Sequence, residues 1–236
     1  RVVLDLILKH NLAVVFNPVH PAREYSHRVE ADSILQTSYV KFWAALAKEL
    51  SHYSPERLFI EPWNEPFFKE PTTWYTFNNK MLAAIRQSAP FHTLVVSPVR
   101  GNDDVSEMTP IADRNVVYST HCYLPFEFTH QGAPWLKYNL PTGMRYPNEK
   151  WNADFIKVNF ISNVAKWAQK HDAKIYMGEY GVLNTATYPD RVAWLTDMSM
   201  LIKQQNWASA LWCYAHGFSI LEDGKAASGQ RKFDKQ

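Results

Sequence analysis

Short apolar runs alternate along this chain with longer segments in which apolar residues recur every three or four positions. The runs are rich in β-branched residues and show no polar alternation, which is typical of strands buried on both faces of a sheet. We predict six of them as strands, at residues 12–17, 57–63, 93–98, 115–123, 174–181 and 208–214. The helical periodicity predicts helices at residues 1–10, 31–52, 72–88, 151–170 and 189–205, with loops at 18–30 and 124–150.

This alternation of buried strands and helices predicts an α/β fold with a parallel sheet covered by helices. An open doubly wound sheet and a closed (β/α)₈ barrel both match the pattern. The dinucleotide-binding form of the open sheet has no support, because no Gly-x-Gly-x-x-Gly follows the first strand. A barrel needs eight strands, and six are visible here. We expect a single domain over residues 1–236, since no linker or repeat interrupts it, with a loosely ordered tail at 222–236.

Composition and charge exclude several classes of function. The chain is 46% hydrophobic and 20% charged, which is enough apolar mass for a sizeable core. The net charge of +2 is spread along the sequence and predicts neither a nucleic acid nor an anionic membrane as partner. No apolar run reaches the length of about 18 residues that a membrane span requires. Cys122 and Cys213 stand apart, so neither a zinc cluster nor a disulfide scaffold is expected.

The aromatic content is the unusual feature of the composition. Trp, Tyr and Phe make up 14% of the chain. Such side chains fill cores, and they also serve as flat platforms for sugar rings. Composition alone favours the core interpretation, including for Trp63 and Trp212.

Polar side chains with acid–base or hydrogen-bonding capacity come where predicted strands end. The carboxyl ends of barrel strands form one face, and active sites lie there. Each residue taken singly has an ordinary structural interpretation, but the joint pattern indicates one cleft. The residues are Asn17, His20, Asn64, Glu65, His121, Tyr123, Glu179, Tyr180, Trp212 and Tyr214.

Two carboxylates flanked by aromatic residues in one cleft are typical of glycoside hydrolysis. The leaving oxygen needs a proton, and the anomeric carbon needs a nucleophile or an activated water. One carboxyl group must therefore be protonated near neutral pH while the other is ionised, which requires different environments. Neighbouring Tyr, His and Asn side chains can hold the ionised group and the sugar hydroxyls.

Four motifs, in order along most of the chain, resemble glycoside hydrolase family 5, the cellulases. EPWNEP (61–66) is similar to the Asn-Glu-Pro signature of that family, and MGEYGV (177–182) to its nucleophile strand. THCYLPFEFTHQGAPW (120–135) resembles the His-x-Tyr motif and the loop after it. Residues 189–220 resemble the closing helix and eighth strand.

The resemblance implies a TIM-type barrel and assigns a role to each matched residue. Glu65 would be the general acid/base and Glu179 the nucleophile, with retention of anomeric configuration and neither metal nor organic cofactor. Asn64 would bind the sugar 2-hydroxyl. The supporting residues would be His121 and Tyr123, which line the site with Tyr123 near Glu179, and Trp212, which would stack under the sugar.

The sequence departs from the family pattern in two places. FNPVH offers a single, shifted histidine, His20, which we keep as a supporting candidate. The chain begins in what resembles the helix before strand three, so we expect an incomplete barrel of about six strands that lacks the family's Arg after strand two. We expect weakened chemistry without that Arg, and a homo-oligomer that covers the open strand edges.

The sequence therefore predicts a retaining endo-β-1,4-glucanase that binds β-glucan polysaccharide or oligosaccharide. A β-mannanase or a xyloglucanase of the same family remains an alternative, as does a catalytically inert glycan-binding fragment. Because the expected substrate is an insoluble extracellular polymer, we expect a secreted or periplasmic protein.

Overall fold

The strands of the sheet lie side by side in the same order as they occur in the chain. The computed structural model describes residues 1–19, 22–101, 105 and 108–220. Strand order is β1 to β6, and the registered pairs β1–β2, β2–β3, β3–β4 and β5–β6 are all parallel. The strands are β1 (Val14–Phe16), β2 (Leu58–Ile60), β3 (Leu94–Val96), β4 (Val116–Cys122), β5 (Ile175–Tyr180) and β6 (Ala208–Ser209).

Within the part of the chain that the structure describes, helices connect every pair of consecutive strands except β3 and β4. The prediction of an incomplete TIM-type barrel with six strands is confirmed. Among the described residues, no helix combines the length and apolar character needed to cross a bilayer. The helices are α1 (Val2–Lys9), α2 (Arg23–Ala31), α3 (Ser33–Leu50), α4 (Pro71–Arg86), α5 (Phe126–Thr129), α6 (Ala153–Ile156), α7 (Ser162–His171) and α8 (Tyr188–Gln204).

Four local predictions differ from the structure. One is the loop predicted at 124–150, in which α5 occupies Phe126–Thr129. The loop predicted at 18–30 is wrong because α2 occupies Arg23–Ala31; its buried side holds only Ser26 and Val29, so it has no apolar stripe to detect. The helix predicted at 151–170 is interrupted between α6 and α7 by a π-helical turn at Lys157–Ile161. The strand predicted at 208–214 forms regular strand only over Ala208–Ser209, although the amides of Ala210 and Trp212 still donate to Met177 and Tyr180 of β5 at 2.9 Å.

The chain folds back on itself soon after the last strand. Cys213 donates its amide hydrogen to the carbonyl oxygen of Phe218 at 3.2 Å and accepts one from Ile220 at 3.2 Å. A short 3₁₀ helix at His216–Phe218 makes this reversal. The tail predicted at 222–236 lies outside the described residues.

The chain divides into two compact units. The first comprises Arg1–Thr120 with His171–Ile175, and the second His121–Lys170 with Tyr176–Gln236. The core of the first is dominated by aromatic rings, of which Trp43 and Trp74 are fully buried. In the second, Phe218 packs with Ala133 and Leu183.

Two helices of the first unit begin at carboxylates that accept backbone hydrogen bonds. Asp32 caps α3 through its Oδ1, which accepts from the amides of Ile34 at 2.8 Å and Leu35 at 3.1 Å. The segment leading into α4 is held by Glu30, whose two oxygens accept from the amides of Lys69 at 2.9 Å and Glu70 at 2.7 Å. A carboxylate near a helix N-terminus interacts favourably with the helix dipole, so Asp32 stabilises the start of α3. Glu30 ties the segment before α4 to α2.

Candidate active site

The first unit carries Asn64 and Glu65 at the end of a tightly held segment that follows β2. Asn64 is 9% exposed, and its amide donates to the carbonyl oxygen of Val19 at 2.9 Å. Glu65 has a φ of +48°, in the left-handed region that non-glycine residues rarely occupy. Backbone strain of this kind persists where surrounding contacts enforce it and is concentrated at functional sites.

Trp63 anchors this segment in the core of the first unit. It is 1% exposed, so it is a core residue and cannot serve as a sugar platform. The centroids of four aromatic rings lie close to that of Trp63, at 5.0 Å for Tyr39, 5.8 Å for Trp74, 5.9 Å for Phe77 and 6.0 Å for Phe68. These edge-on and tilted contacts add stability beyond the area that they bury.

The second unit carries Glu179, the penultimate residue of β5, together with two side chains that contact it. The hydroxyl of Tyr123 donates to Oε2 of Glu179 at 2.8 Å. Nδ1 of His121 lies 3.7 Å from the same oxygen, and the side chain of His121 is 1% exposed. These contacts fix the orientation of the Glu179 carboxylate. The predicted proximity of Tyr123 to Glu179 is confirmed.

Tyr123 is itself held in place by the loop that follows it. Its carbonyl oxygen accepts from Oγ1 of Thr129 at 2.6 Å. Its ring packs edge-on against His130, with centroids 5.0 Å apart, and against Phe218 at 5.6 Å. The matched loop motif contains Thr129 and His130, but the sequence did not indicate that these two residues support the tyrosine.

Trp212 presents a half-exposed ring in the second unit. It is 46% exposed, and its amide donates to the carbonyl oxygen of Tyr180 at 2.9 Å. Gly181 lies against this backbone, because a Cβ at Gly181 would overlap the carbonyl oxygen of Trp212. The exposed ring next to the end of β5 has the properties of a sugar platform, whereas the ring of Trp63 does not.

The structure thus groups His121, Tyr123 and Glu179 in the second unit and holds Asn64 and Glu65 in the first. The remaining candidate, His20, lies outside the described residues. The catalytic and binding roles of all these residues remain predictions.

Comparison with known proteins identifies relatives along nearly the whole chain. The model of the family described as Cellulase (glycosyl hydrolase family 5) matches residues 2–217. Endoglucanase 3 of Fibrobacter succinogenes is 28% identical over 95% of this chain, which spans 40% of that protein. Endoglucanase C of Acetivibrio thermocellus is 27% identical over 95% of this chain, which spans 75% of it.

Solved structures show the same fold. A hyperthermophilic endo-β-1,4-glucanase solved in complex with substrate superposes with a TM-score of 0.86 at 29% identity, over 93% of this chain and 70% of that one. Cel5A of Thermotoga maritima in complex with mannotriose superposes with a TM-score of 0.81 at 27% identity, over 93% of this chain and 72% of that one.

Proposed function

Because the chain belongs to the cellulase family, glycosyl hydrolase family 5, we propose that it hydrolyses β-1,4-glucan with retention of configuration, with Glu65 as acid/base and Glu179 as nucleophile. The observation that carries this proposal is the 2.8 Å hydrogen bond from Tyr123 to Glu179, which orients a carboxylate at the end of a buried strand. Retention requires the two carboxyl groups to act about 5–5.5 Å apart across the scissile bond.

The first step forms a covalent glycosyl-enzyme. A carboxylate oxygen of Glu179 attacks the anomeric carbon, and the bond from that carbon to the leaving oxygen breaks. The proton of the Glu65 carboxyl group passes to the leaving oxygen, so the departing chain leaves as a neutral alcohol.

The second step releases the sugar. Glu65, now ionised, takes a proton from a water molecule whose oxygen attacks the same anomeric carbon. The ester bond to Glu179 breaks and its carboxylate is restored, while Glu65 is protonated again. Two inversions at one carbon give net retention.

The supporting residues position the sugar and the nucleophile in this proposal. Asn64 donates to the 2-hydroxyl, where hydrogen bonds tighten in the transition state. The half-exposed ring of Trp212 stacks under the sugar, and His121 packs beside Glu179 with Tyr123. His20 is retained as a further substrate contact, and no metal takes part.

Several relatives and neighbours are named as endoglucanases, which supports internal cleavage of β-1,4-glucan. The Thermotoga maritima neighbour bound to mannotriose makes a mannan the second candidate substrate. Release of reducing ends from carboxymethyl cellulose, β-glucan, mannan and xyloglucan decides between them. A fall in viscosity that outpaces the release of reducing ends marks endo action.

The catalytic assignment is tested with Glu65→Gln and Glu179→Gln. Each is expected to lower kcat on the preferred glucan by at least about a thousandfold, since each removes a group that acts on the reacting atoms. Glu149→Gln is the matched control, because Glu149 is an exposed glutamate of the second unit and should leave the activity unchanged. Cello-oligosaccharide binding without turnover by the wild type would establish the inert glycan-binding alternative instead.

We also propose that copies of the chain associate through the α1–β1 side of the first unit. Val2, Val3 and Leu6 on α1 are 82%, 68% and 56% exposed. A cavity of about 430 Å³ lies beside them, lined by apolar residues of α1, β1 and α3 such as Leu4 and Phe16. Sedimentation velocity over a range of concentrations tests this, and a monomer throughout would refute it.

Secretion or export to the periplasm follows from the proposed substrate, since an insoluble glucan is degraded outside the cytoplasm. Fractionation of cells that express the full gene, with detection in medium, periplasm and cytoplasm, tests this location. Retention in the cytoplasm would refute it.

A further inference from the structure

We propose that Glu61, which the mechanism above does not use, is a positioning residue for Glu65. This inference rests on the proposed function, because positioning has meaning only if Glu65 delivers a proton. Glu61 is 6% exposed and lies four residues before Glu65, directly after β2. Burial of a carboxylate is unfavourable unless hydrogen bonds compensate, so the contacts of the buried Glu61 side chain indicate a structural or functional role.

The backbone of Glu61 is held by β1 and the residue after it. Its amide donates to the carbonyl oxygen of Phe16 at 3.0 Å, which extends the ladder between β1 and β2 by one hydrogen bond. Its carbonyl oxygen accepts a long hydrogen bond, 3.4 Å, from Nδ2 of Asn17. Both contacts lie on one side of the residue.

The side chain of Glu61 reaches the other neighbouring strand. Its Oε1 accepts from the hydroxyl of Ser97 at 3.1 Å, directly after β3, and Ser97 is 1% exposed. The carbonyl oxygen of Ser97 in turn accepts from Nε1 of Trp74 on α4 at 2.9 Å. Glu61 therefore connects the ends of three adjacent strands, and Ser97 connects that point to a helix.

The contacts of Glu61 constrain the segment that follows it, up to Glu65. Trp63 is packed in the aromatic core, and the Asn64 amide is bonded to Val19. The chain then enters the left-handed region at Glu65, where small changes at the preceding residues would redirect the side chain. Because misplacement of a catalytic group by about 1 Å can cost about 100-fold in rate, loss of the Glu61–Ser97 bond should impair proton delivery.

Leaving-group dependence separates positioning of the acid from general destabilisation. The dinitrophenolate of dinitrophenyl cellobioside departs without a proton, whereas the sugar alcohol that leaves from cellotetraose needs one. The ratio kcat/KM reports steps up to formation of the glycosyl-enzyme. For Glu61→Ala and Ser97→Ala, we expect kcat/KM to fall about 10- to 100-fold on cellotetraose and less than about threefold on dinitrophenyl cellobioside.

Two further variants show whether the effect belongs to this contact. Glu61→Gln keeps an oxygen that can accept from Ser97, so it should recover most of the loss seen in Glu61→Ala. Ile85→Ala opens the fully buried core side of α4 and should lower the melting temperature without changing the ratio between the two substrates. Equal losses on both substrates in Glu61→Ala and Ser97→Ala would overturn the proposal.

Amide hydrogen exchange tests positioning without any turnover. Protection of the Asn64 amide should fall at least about tenfold in Glu61→Ala and Ser97→Ala and should persist in Glu61→Gln. Unchanged protection in both alanine variants would overturn the positioning role. A wild type that cleaves neither substrate would refute the proposed function, while the exchange result would still decide the role of Glu61.

Discussion

Replacing Gly181 with alanine is expected to disturb both the end of β5 and the Trp212 backbone that packs against it. Gly181 lies two residues after Glu179, and its Cα faces the backbone of Trp212. An added Cβ would overlap the Trp212 carbonyl oxygen and would lie 3.2 Å from both the carbonyl carbon of Trp212 and Cδ1 of Phe218. The overlap is with backbone, which cannot rotate away as a side chain can.

The size of the effect follows from what must move. To reach ordinary van der Waals contact, the two backbones must separate, which lengthens or breaks the 2.9 Å hydrogen bond from the Trp212 amide to Tyr180. Overpacking typically costs about 1–3 kcal/mol, and a lost hydrogen bond about 0.5–1.5 kcal/mol more. We therefore expect Gly181→Ala to lower the free energy of unfolding by about 2–4 kcal/mol.

Urea unfolding followed by tryptophan fluorescence measures this loss, and cello-oligosaccharide binding reports on Trp212. Gly217→Ala is the matched control, because its added Cβ would lie 2.9 Å from Cδ2 of Leu183, the far end of a flexible side chain. The control should lose about 1 kcal/mol or less. Equal stability losses in the two variants, or none in Gly181→Ala, would refute the argument from backbone overlap.

Two more predictions concern Tyr123 and His92. Tyr123→Phe removes the hydroxyl that donates to Glu179 and should lower kcat about 10- to 100-fold with a small change in melting temperature, measured by kinetics and calorimetry; an unchanged kcat would contradict the orienting role. Burial lowers the pKa of His92 below its usual value of 6.5. As the pH falls, the unfolded chain therefore protonates His92 before the folded chain does. Stability should therefore be full above pH 6.5 and decline as the pH falls below it, and chemical unfolding of His92→Gln at pH 5.5 and 7.5 should show a smaller difference than the wild type.

The features that could be predicted from the sequence depend on local pattern. Continuous apolar runs identify the six strands, and the motifs around Glu65 and Glu179 identify the two candidate carboxylates because each motif is contiguous. The cap formed by Asp32 is also a local contact, with both partners within three residues, but it was not predicted.

The features that escaped prediction depend on contacts between distant residues. Glu61 meets Ser97 across 36 positions, and no spacing in the sequence reveals that bond. Composition gives Trp63 and Trp212 the same interpretation, and only the family resemblance singled out Trp212 as a sugar platform. Their exposures of 1% and 46% differ because packing decides which ring faces solvent. Helix α2 was missed because tertiary contacts, rather than an apolar stripe, stabilise it.

The π-helical turn at Lys157–Ile161 makes the chain length between α6 and α7 adjustable. Each residue of an α-helix advances the direction of the side chains by about 100°, so a deletion within α7 would turn Val164 and Trp167 away from the core that buries them. A π turn holds one residue more than an α turn. One residue can therefore be removed there, and the helix can close as a continuous α-helix with both buried faces still aligned. This turn is a place between α6 and α7 where removal of one residue would leave side-chain register intact.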